Sequence, residues 1–189
     1  MADDIILCQR GRVTVAKYRS MMQQKEKTKL VEFIRDRFTE RYVTPLQNIP
    51  RFPNHLRNGF CTMAICCLMI EALESFWQGL ADTKGAGRAT FVSFFNRNDN
   101  LKAFRPYASE FYTHVRCGIL HQAETTNGWK IRRDGILFDA RTFTINASRF
   151  HHELTKCLDA YCIALDLEQF DTPLWYAFTN KMKRICRNS

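Results

Sequence analysis

The chain has 189 residues, of which 46% are hydrophobic and 13% aromatic, enough to build one compact domain with a large core. This composition excludes a disordered or low-complexity chain, which would contain few aromatic residues. The 28 Lys and Arg against 19 Asp and Glu give a formal net charge of +9. Such a charge attracts polyanions such as nucleic acid, although it also fits an ordinary soluble basic surface.

The eight cysteines fall within predicted helices and show neither paired C-x2-C spacing nor the spacing of a disulfide scaffold, which indicates reduced thiols. The apolar run Ile5 to Cys8 is too short for the core of a signal peptide. The most apolar segment is interrupted by Glu71 and Glu74, so we expect no membrane-spanning helix. Together these features predict a cytoplasmic protein.

Apolar spacing predicts a series of helices along the first two thirds of the chain. Residues 1–27 show no sustained period, and the first helix is predicted by four apolar residues at four-residue intervals, Leu30, Ile34, Phe38 and Tyr42. After a proline-containing loop over 45–54, an apolar stripe predicts a central helix over 55–80. A polar turn at 82–88 precedes a short helix around 91–95, and a longer helical pattern runs over about 101–123.

The last third of the chain contains the expected β-structure. Two β-prone runs, Ile136–Phe138 and Thr142–Ile145, follow an Asp-Gly turn signal and predict a small β-hairpin near 128–147. Asn146 or Ser148 is expected to cap a further helix, and a last, basic helix is predicted at about 172–187. The sequence therefore predicts an all-α protein with a hairpin appendage, in one domain over 1–189.

Three cations stand beside Trp129 at the start of the expected hairpin, namely Lys130, Arg132 and Arg133. An exposed aromatic ring among cations is typical of an edge that stacks bases and contacts phosphates. The alternative is that Trp129 simply packs into the core, which is more frequent for an aromatic residue at this position. We favour packing for Trp129 and keep the three cations as candidate nucleic-acid contacts.

The most informative segment is Arg116-Cys117-Gly118-Ile119-Leu120-His121. A permanent guanidinium cation suits phosphate oxygens, and an imidazole titrates near neutral pH, so the pair can bind a phosphodiester and move its protons. On an ideal helix Arg116 and His121 are about 140° apart, too far to face one small site. Either the helix relaxes at Gly118 or two protomers share a cleft across a two-fold axis.

Two other interpretations use the same segment. His114, Cys117 and His121 lie within about 60° on an ideal helix and, with Glu110, predict a zinc site in a metal-binding or structural protein. Alternatively, Arg116 pairs with a buried carboxylate of the central helix, Glu71 or Glu74, while His121 caps a helix C-terminus, where a cation is favoured.

The run from Phe111 to Glu124, followed by Gly128-Trp129, resembles the signature helix of HEPN-domain proteins. Their motif is Arg, usually followed by a polar residue, and then His after four to six positions. The segment Ile70–Phe76 resembles the preceding helix of the same group, and the resemblance covers roughly residues 28–168. It implies an all-α bundle of four to five main helices.

The resemblance also implies a function, that of a metal-independent endoribonuclease of toxin or antiphage systems with no cofactor. Arg116 would hold the scissile phosphate and His121 would act as general acid or base, supported by Cys117, His114 and Glu74. The implied partners are RNA, a second copy of the chain whose motif meets the first, and an antitoxin or other protein. Active members usually carry Asn, Asp or His where this chain has Cys117, which favours the alternative of a non-catalytic module that binds RNA, a nucleotide or a protein.

Overall fold

The computed structural model describes residues 2–47 and 58–188, and the protein is mostly helical, with 72% helix and 7% strand. The predicted all-α class is confirmed at this level, because the strands contribute only short segments. Residues 45–47, the described part of the predicted loop over 45–54, are helical rather than loop. The rest of that loop and the expected beginning of the central helix at residue 55 lie outside the described residues. The finer prediction of a HEPN-like bundle, and that of a single domain over 1–189, stay predictions.

The helices follow the predicted order with additional short elements. The α-helices are α1 Val15–Gln23, α2 Lys27–Phe38, α3 Thr44–Gln47, α4 Gly59–Gln78, α5 Gly87–Arg97, α6 Ala108–Glu110, α7 Cys117–Gln122, α8 Ala147–Leu167 and α9 Pro173–Asn188. Segments of 3-10 helix lie at Ala2–Asp4, Arg10–Arg12 and Asp99–Tyr107, and π-helical turns lie at Thr39–Val43 and Phe111–Arg116. The predicted basic C-terminal helix is present as α9.

The strands form two small sheets. Near the N-terminus, β1 Ile6–Cys8 pairs antiparallel with β2 Val13–Thr14, a feature too short to give a pattern in the sequence. The second sheet has the order β3 Lys130–Arg132, β5 Thr144–Asn146, β4 Phe138–Asp139. The antiparallel β4–β5 pair is the predicted hairpin, whereas β3 joins it in parallel, so the appendage has three strands rather than two.

One compact unit of the chain comprises residues 1–48, 75–82 and 158–189. Its core contains the predicted apolar face of the first helix, since Leu30, Ile34 and Phe38 are all buried. The ring of Phe38 packs edge-on against Phe76 with the centroids 5.6 Å apart, and Phe76 contacts Phe178 of α9 at 5.9 Å. The apolar side of the basic helix therefore packs within this unit.

The second unit comprises residues 49–74 and 83–157 and contains the Arg116–His121 segment. Its core is an aromatic cluster in which Phe104 stacks on Phe138 at 4.6 Å and Phe111 stacks on Phe150 at 5.5 Å. Because these rings anchor the residues before Arg116, the cluster fixes where the segment lies.

The predicted helix over about 101–123 has three helical geometries rather than one. Its first part is 3-10 and contains Pro106, which lacks the N–H needed by an α-helix. The part from Phe111 to Arg116 is π-helical, and α7 then continues until Ala123, whose left-handed φ of 55° ends it. The segment of interest therefore begins in a π turn, a geometry that is frequent at functional sites.

Helix α4 is long and apolar enough to cross a membrane by length and composition, which the sequence analysis did not expect. However, 61% of its most apolar 18-residue window is buried inside the protein, as in the core helix of a soluble protein. The helix also carries Glu71 and Glu74, and both carboxylates are bound by side chains of the same unit.

Candidate functional site

Arg116 lies in a half-buried ion pair with Glu71 of α4. Its Nε donates a hydrogen bond of 2.7 Å to Glu71 Oε1, and the two side chains are 20% and 15% exposed. The hydroxyl of Thr83 donates to the other oxygen, Oε2, at 2.9 Å. Burial alone lowers the pKa of Arg116, but the hydrogen bond and charge of Glu71 raise it overall. The interpretation in which Arg116 pairs with a carboxylate of the central helix is confirmed.

The guanidinium of Arg116 also lies over the ring of Tyr112, with its central carbon 5.5 Å from the ring centroid, within the range of a cation–π interaction. In the π turn that contains both residues, the N–H of Cys117 donates to the carbonyl of Tyr112, five residues earlier. Burial, together with the neighbouring Cys117 thiol, raises the pKa of Tyr112. The turn therefore brings Tyr112 and Cys117 together on the side of the helix that Arg116 covers.

Cys117 is half-buried, and its Sγ lies 4.0 Å from Arg116 NH1. His121 is exposed in the last turn of α7, two residues before the left-handed Ala123. This is the C-terminal position at which the sequence predicted a capping cation. Among the described residues, no hydrogen bond or ion pair joins Arg116 to His121.

Gly118 does not relax the helix, as one sequence interpretation required, because it keeps helical geometry within α7. Its role is close packing: a Cβ at this position would lie 2.5 Å from the carbonyl oxygen of Glu124. The chain after α7 therefore folds back directly onto the helix between Arg116 and His121.

His114 anchors this returning chain rather than a metal. Its Nδ1 hydrogen-bonds to Thr126 Oγ1 at 2.8 Å, and its carbonyl accepts the Thr126 N–H at 3.0 Å. Within residues 2–47 and 58–188, no group of three or more His, Cys, Asp and Glu side chains has the arrangement of a metal site. The predicted set of His114, Cys117 and His121 with Glu110 is therefore not assembled.

Glu74, predicted as a support of the site, is bound elsewhere. Its carboxylate is fully buried and accepts hydrogen bonds from Ser93 Oγ at 2.8 Å and from Arg97 NH2 at 3.0 Å. The carboxylate that pairs with Arg116 is that of Glu71, which lies one helical turn earlier on the same helix. One helix thus presents two carboxylates to two different arginines.

The three candidate nucleic-acid contacts, Lys130, Arg132 and Arg133, are exposed. Lys130 and Arg132 line a surface groove of about 430 Å³, whereas the Nε of Arg133 donates to Ser148 at 3.4 Å. Trp129 is only 4% exposed and stacks on Phe138 at 5.5 Å. The favoured interpretation, packing of Trp129, is confirmed. The three cations therefore lack an exposed Trp129 ring on which a base could stack.

The sequence analysis missed two residues of the site, Tyr112 and Arg88. Tyr112 precedes Arg116 by four residues, a spacing that places side chains together on a helix and could have revealed it. Arg88 of α5 lies with its guanidinium carbon 5.9 Å from the centroid of the same ring. No local pattern links it to the motif, because it is brought there by packing.

No protein-family profile matches the chain, and no curated protein or solved structure matches it either. The resemblance to HEPN-domain proteins therefore depends on the motif residues themselves.

Proposed function

We propose that the protein is a HEPN-type, metal-independent endoribonuclease in which Arg116 binds the scissile phosphate and His121 transfers protons. The observation that carries this proposal is the Arg116–Glu71 pair. It uses Nε, so the guanidinium is held at a half-buried position while NH2 makes no hydrogen bond within the described chain. A guanidinium held in place at low exposure, with donors left over, is suited to bind a phosphate oxygen.

In the proposed reaction the 2′-hydroxyl of RNA attacks the adjacent phosphorus and the bond to the 5′-oxygen breaks. A base removes the 2′-proton, and an acid protonates the departing 5′-oxygen, which leaves a 2′,3′-cyclic phosphate and a 5′-hydroxyl. His121 takes one of these roles because it is exposed and an imidazole can both accept and donate a proton. Arg116 stabilises the charge that develops on the phosphate oxygens.

The separate directions of Arg116 and His121 favour a homodimer, in which the His121 of one protomer serves the phosphate held by Arg116 of the other. Sedimentation of the purified protein at micromolar concentration tests this arrangement. A monomer under conditions where RNA is cleaved would contradict it.

Cleavage is tested with labelled single-stranded RNA in excess EDTA. We expect the parent protein to produce cyclic-phosphate ends, and His121→Ala and Arg116→Ala to lose this activity. His152→Ala is the matched control, since His152 is also an exposed histidine and lies outside the motif. An all-deoxy strand, which lacks the attacking hydroxyl, should remain intact, and its cleavage would contradict the mechanism.

A second candidate is a non-catalytic module that binds RNA, a nucleotide or a protein. The observation that favours it is Cys117, whose half-buried thiol lies 4.0 Å from Arg116 NH1 and is a weak hydrogen-bond partner. RNA binding that is lost in Arg116→Ala, without cleavage of any RNA tested, would identify this function.

A further inference from the structure

Two guanidinium groups lie by the ring of Tyr112 in the unit that contains the motif. The central carbons of Arg116 and Arg88 are 5.5 and 5.9 Å from the ring centroid. We infer that Arg88, Tyr112 and Arg116 form a two-cation subsite for the RNA backbone, in which Arg88 binds the phosphate next to the one held by Arg116 and Tyr112 positions both cations. This inference rests on the proposed function and names a further part of the same site.

The packing of Gly87 explains why Arg88 is at this position. Gly87 begins α5, and a Cβ on it would lie 2.6 Å from the hydroxyl oxygen of Tyr112 and 2.7 Å from a ring carbon. The ring therefore lies directly against the backbone at the start of the helix. Arg88 is the next residue along the chain, and its guanidinium therefore lies by the same ring. The close approach of α5 to the π turn thus places Arg88 and Arg116 at one aromatic ring.

The charges of the subsite leave it with an excess of one positive charge. Glu71 balances Arg116. Arg88, in contrast, is exposed and makes no hydrogen bond or ion pair among the described residues. Its five donors are therefore available to an anion, and guanidinium groups match phosphate oxygens in geometry.

The spacing suits successive phosphates of one strand. The guanidinium carbons of Arg88 and Arg116 lie 5.9 and 5.5 Å from one ring centroid, so their separation cannot exceed the sum of these two distances. This upper limit allows the two groups to contact neighbouring phosphates of one strand. Contacts of this kind recognise the backbone and carry no base specificity. We therefore expect Arg88 to contribute to RNA affinity irrespective of sequence.

The test measures binding of a fluorescent single-stranded RNA by anisotropy across a salt series, with the full-length protein and its Arg88→Ala, Arg88→Lys and Arg184→Ala variants. Arg184 is an exposed arginine of α9 and is not one of the three subsite residues, so its variant loses the same charge without changing the subsite itself. We expect Arg88→Ala to weaken binding several-fold and to lower the salt dependence by about 0.7 in log Kd per log salt, the contribution of one phosphate contact. Arg88→Lys should recover most of that slope.

Tyr112 is tested as a positioning residue with two variants. Tyr112→Phe keeps the ring and should leave the salt slope unchanged, whereas Tyr112→Leu removes it and should reproduce the loss seen in Arg88→Ala. In cleavage assays, Arg88→Ala should raise KM with little change in kcat, because the adjacent phosphate does not react. A structural role of Arg88 would instead lower the folded fraction and be seen in circular dichroism.

The outcomes separate this inference from the proposed nuclease activity. If cleavage depends on His121, but Arg88→Ala and Arg184→Ala have the same salt slope of binding and the same KM, the subsite is overturned and the nuclease activity is not. Binding without cleavage, with the salt slope reduced in Arg88→Ala and Tyr112→Leu but not in Arg184→Ala, supports the subsite and refutes the nuclease. A parent protein that does not bind RNA at low salt overturns both.

Discussion

Replacing Glu71 with Gln removes the charge that holds Arg116 while preserving the shape of the side chain and a partner for the Thr83 hydroxyl. Exposed ion pairs contribute about 0–1 kcal/mol, and breaking a fully buried pair costs about 3–5 kcal/mol. The Arg116–Glu71 pair is 20% and 15% exposed, which places it between these limits. We therefore expect a coupling energy of about 1–3 kcal/mol between the two side chains.

A double-mutant cycle with Glu71→Gln and Arg116→Gln measures this coupling from urea unfolding. Glu110→Gln is the control, because Glu110 is an exposed carboxylate without a described ion pair. In RNA assays we expect Glu71→Gln to reduce the cleavage rate, since the guanidinium is no longer fixed, while RNA affinity stays the same or increases as the net charge becomes more positive. A coupling near zero, or an unchanged cleavage rate, would refute the view that Glu71 orients Arg116.

Other predictions concern thiols and packing. Burial raises the pKa of Cys162 from 9.0 to about 11, so the stability that this thiol contributes is complete below about pH 9 and is lost as the pH rises towards 11. Urea unfolding between pH 8 and 11 should therefore show a falling free energy of unfolding, and the fall should be smaller in Cys162→Ala. In the native protein, a thiol reagent should modify exposed Cys61 rapidly and half-buried Cys117 more slowly, with the six buried thiols reacting only on unfolding. Gly118→Ala should lower the free energy of unfolding by about 1–3 kcal/mol, because the new methyl group would meet a backbone carbonyl at 2.5 Å. A free energy of unfolding equal to that of the parent protein would contradict the packing argument.

Local patterns in the sequence determined most helices. The four-residue repeat of Leu30, Ile34 and Phe38 predicted a helix whose apolar face is buried. Of the two expected caps of α8, Asn146 and Ser148, it is Asn146 whose Oδ1 accepts the N–H of Arg149 at 3.1 Å. These features depend on neighbouring residues, and the physical chemistry of capping and amphipathic burial acts within a few turns. The candidate motif was found in the same way, from residues five positions apart.

Only the tertiary structure decided which groups meet at the site. Glu71 and Glu74 are three residues apart on one helix, yet the first pairs with Arg116 and the second with Arg97, because each faces a different helix. The placement of Arg88 over Tyr112 likewise depends on packing between segments distant in sequence. Such contacts follow from the summed burial of many side chains, which fixes how helices approach one another, and no short stretch of sequence contains that information.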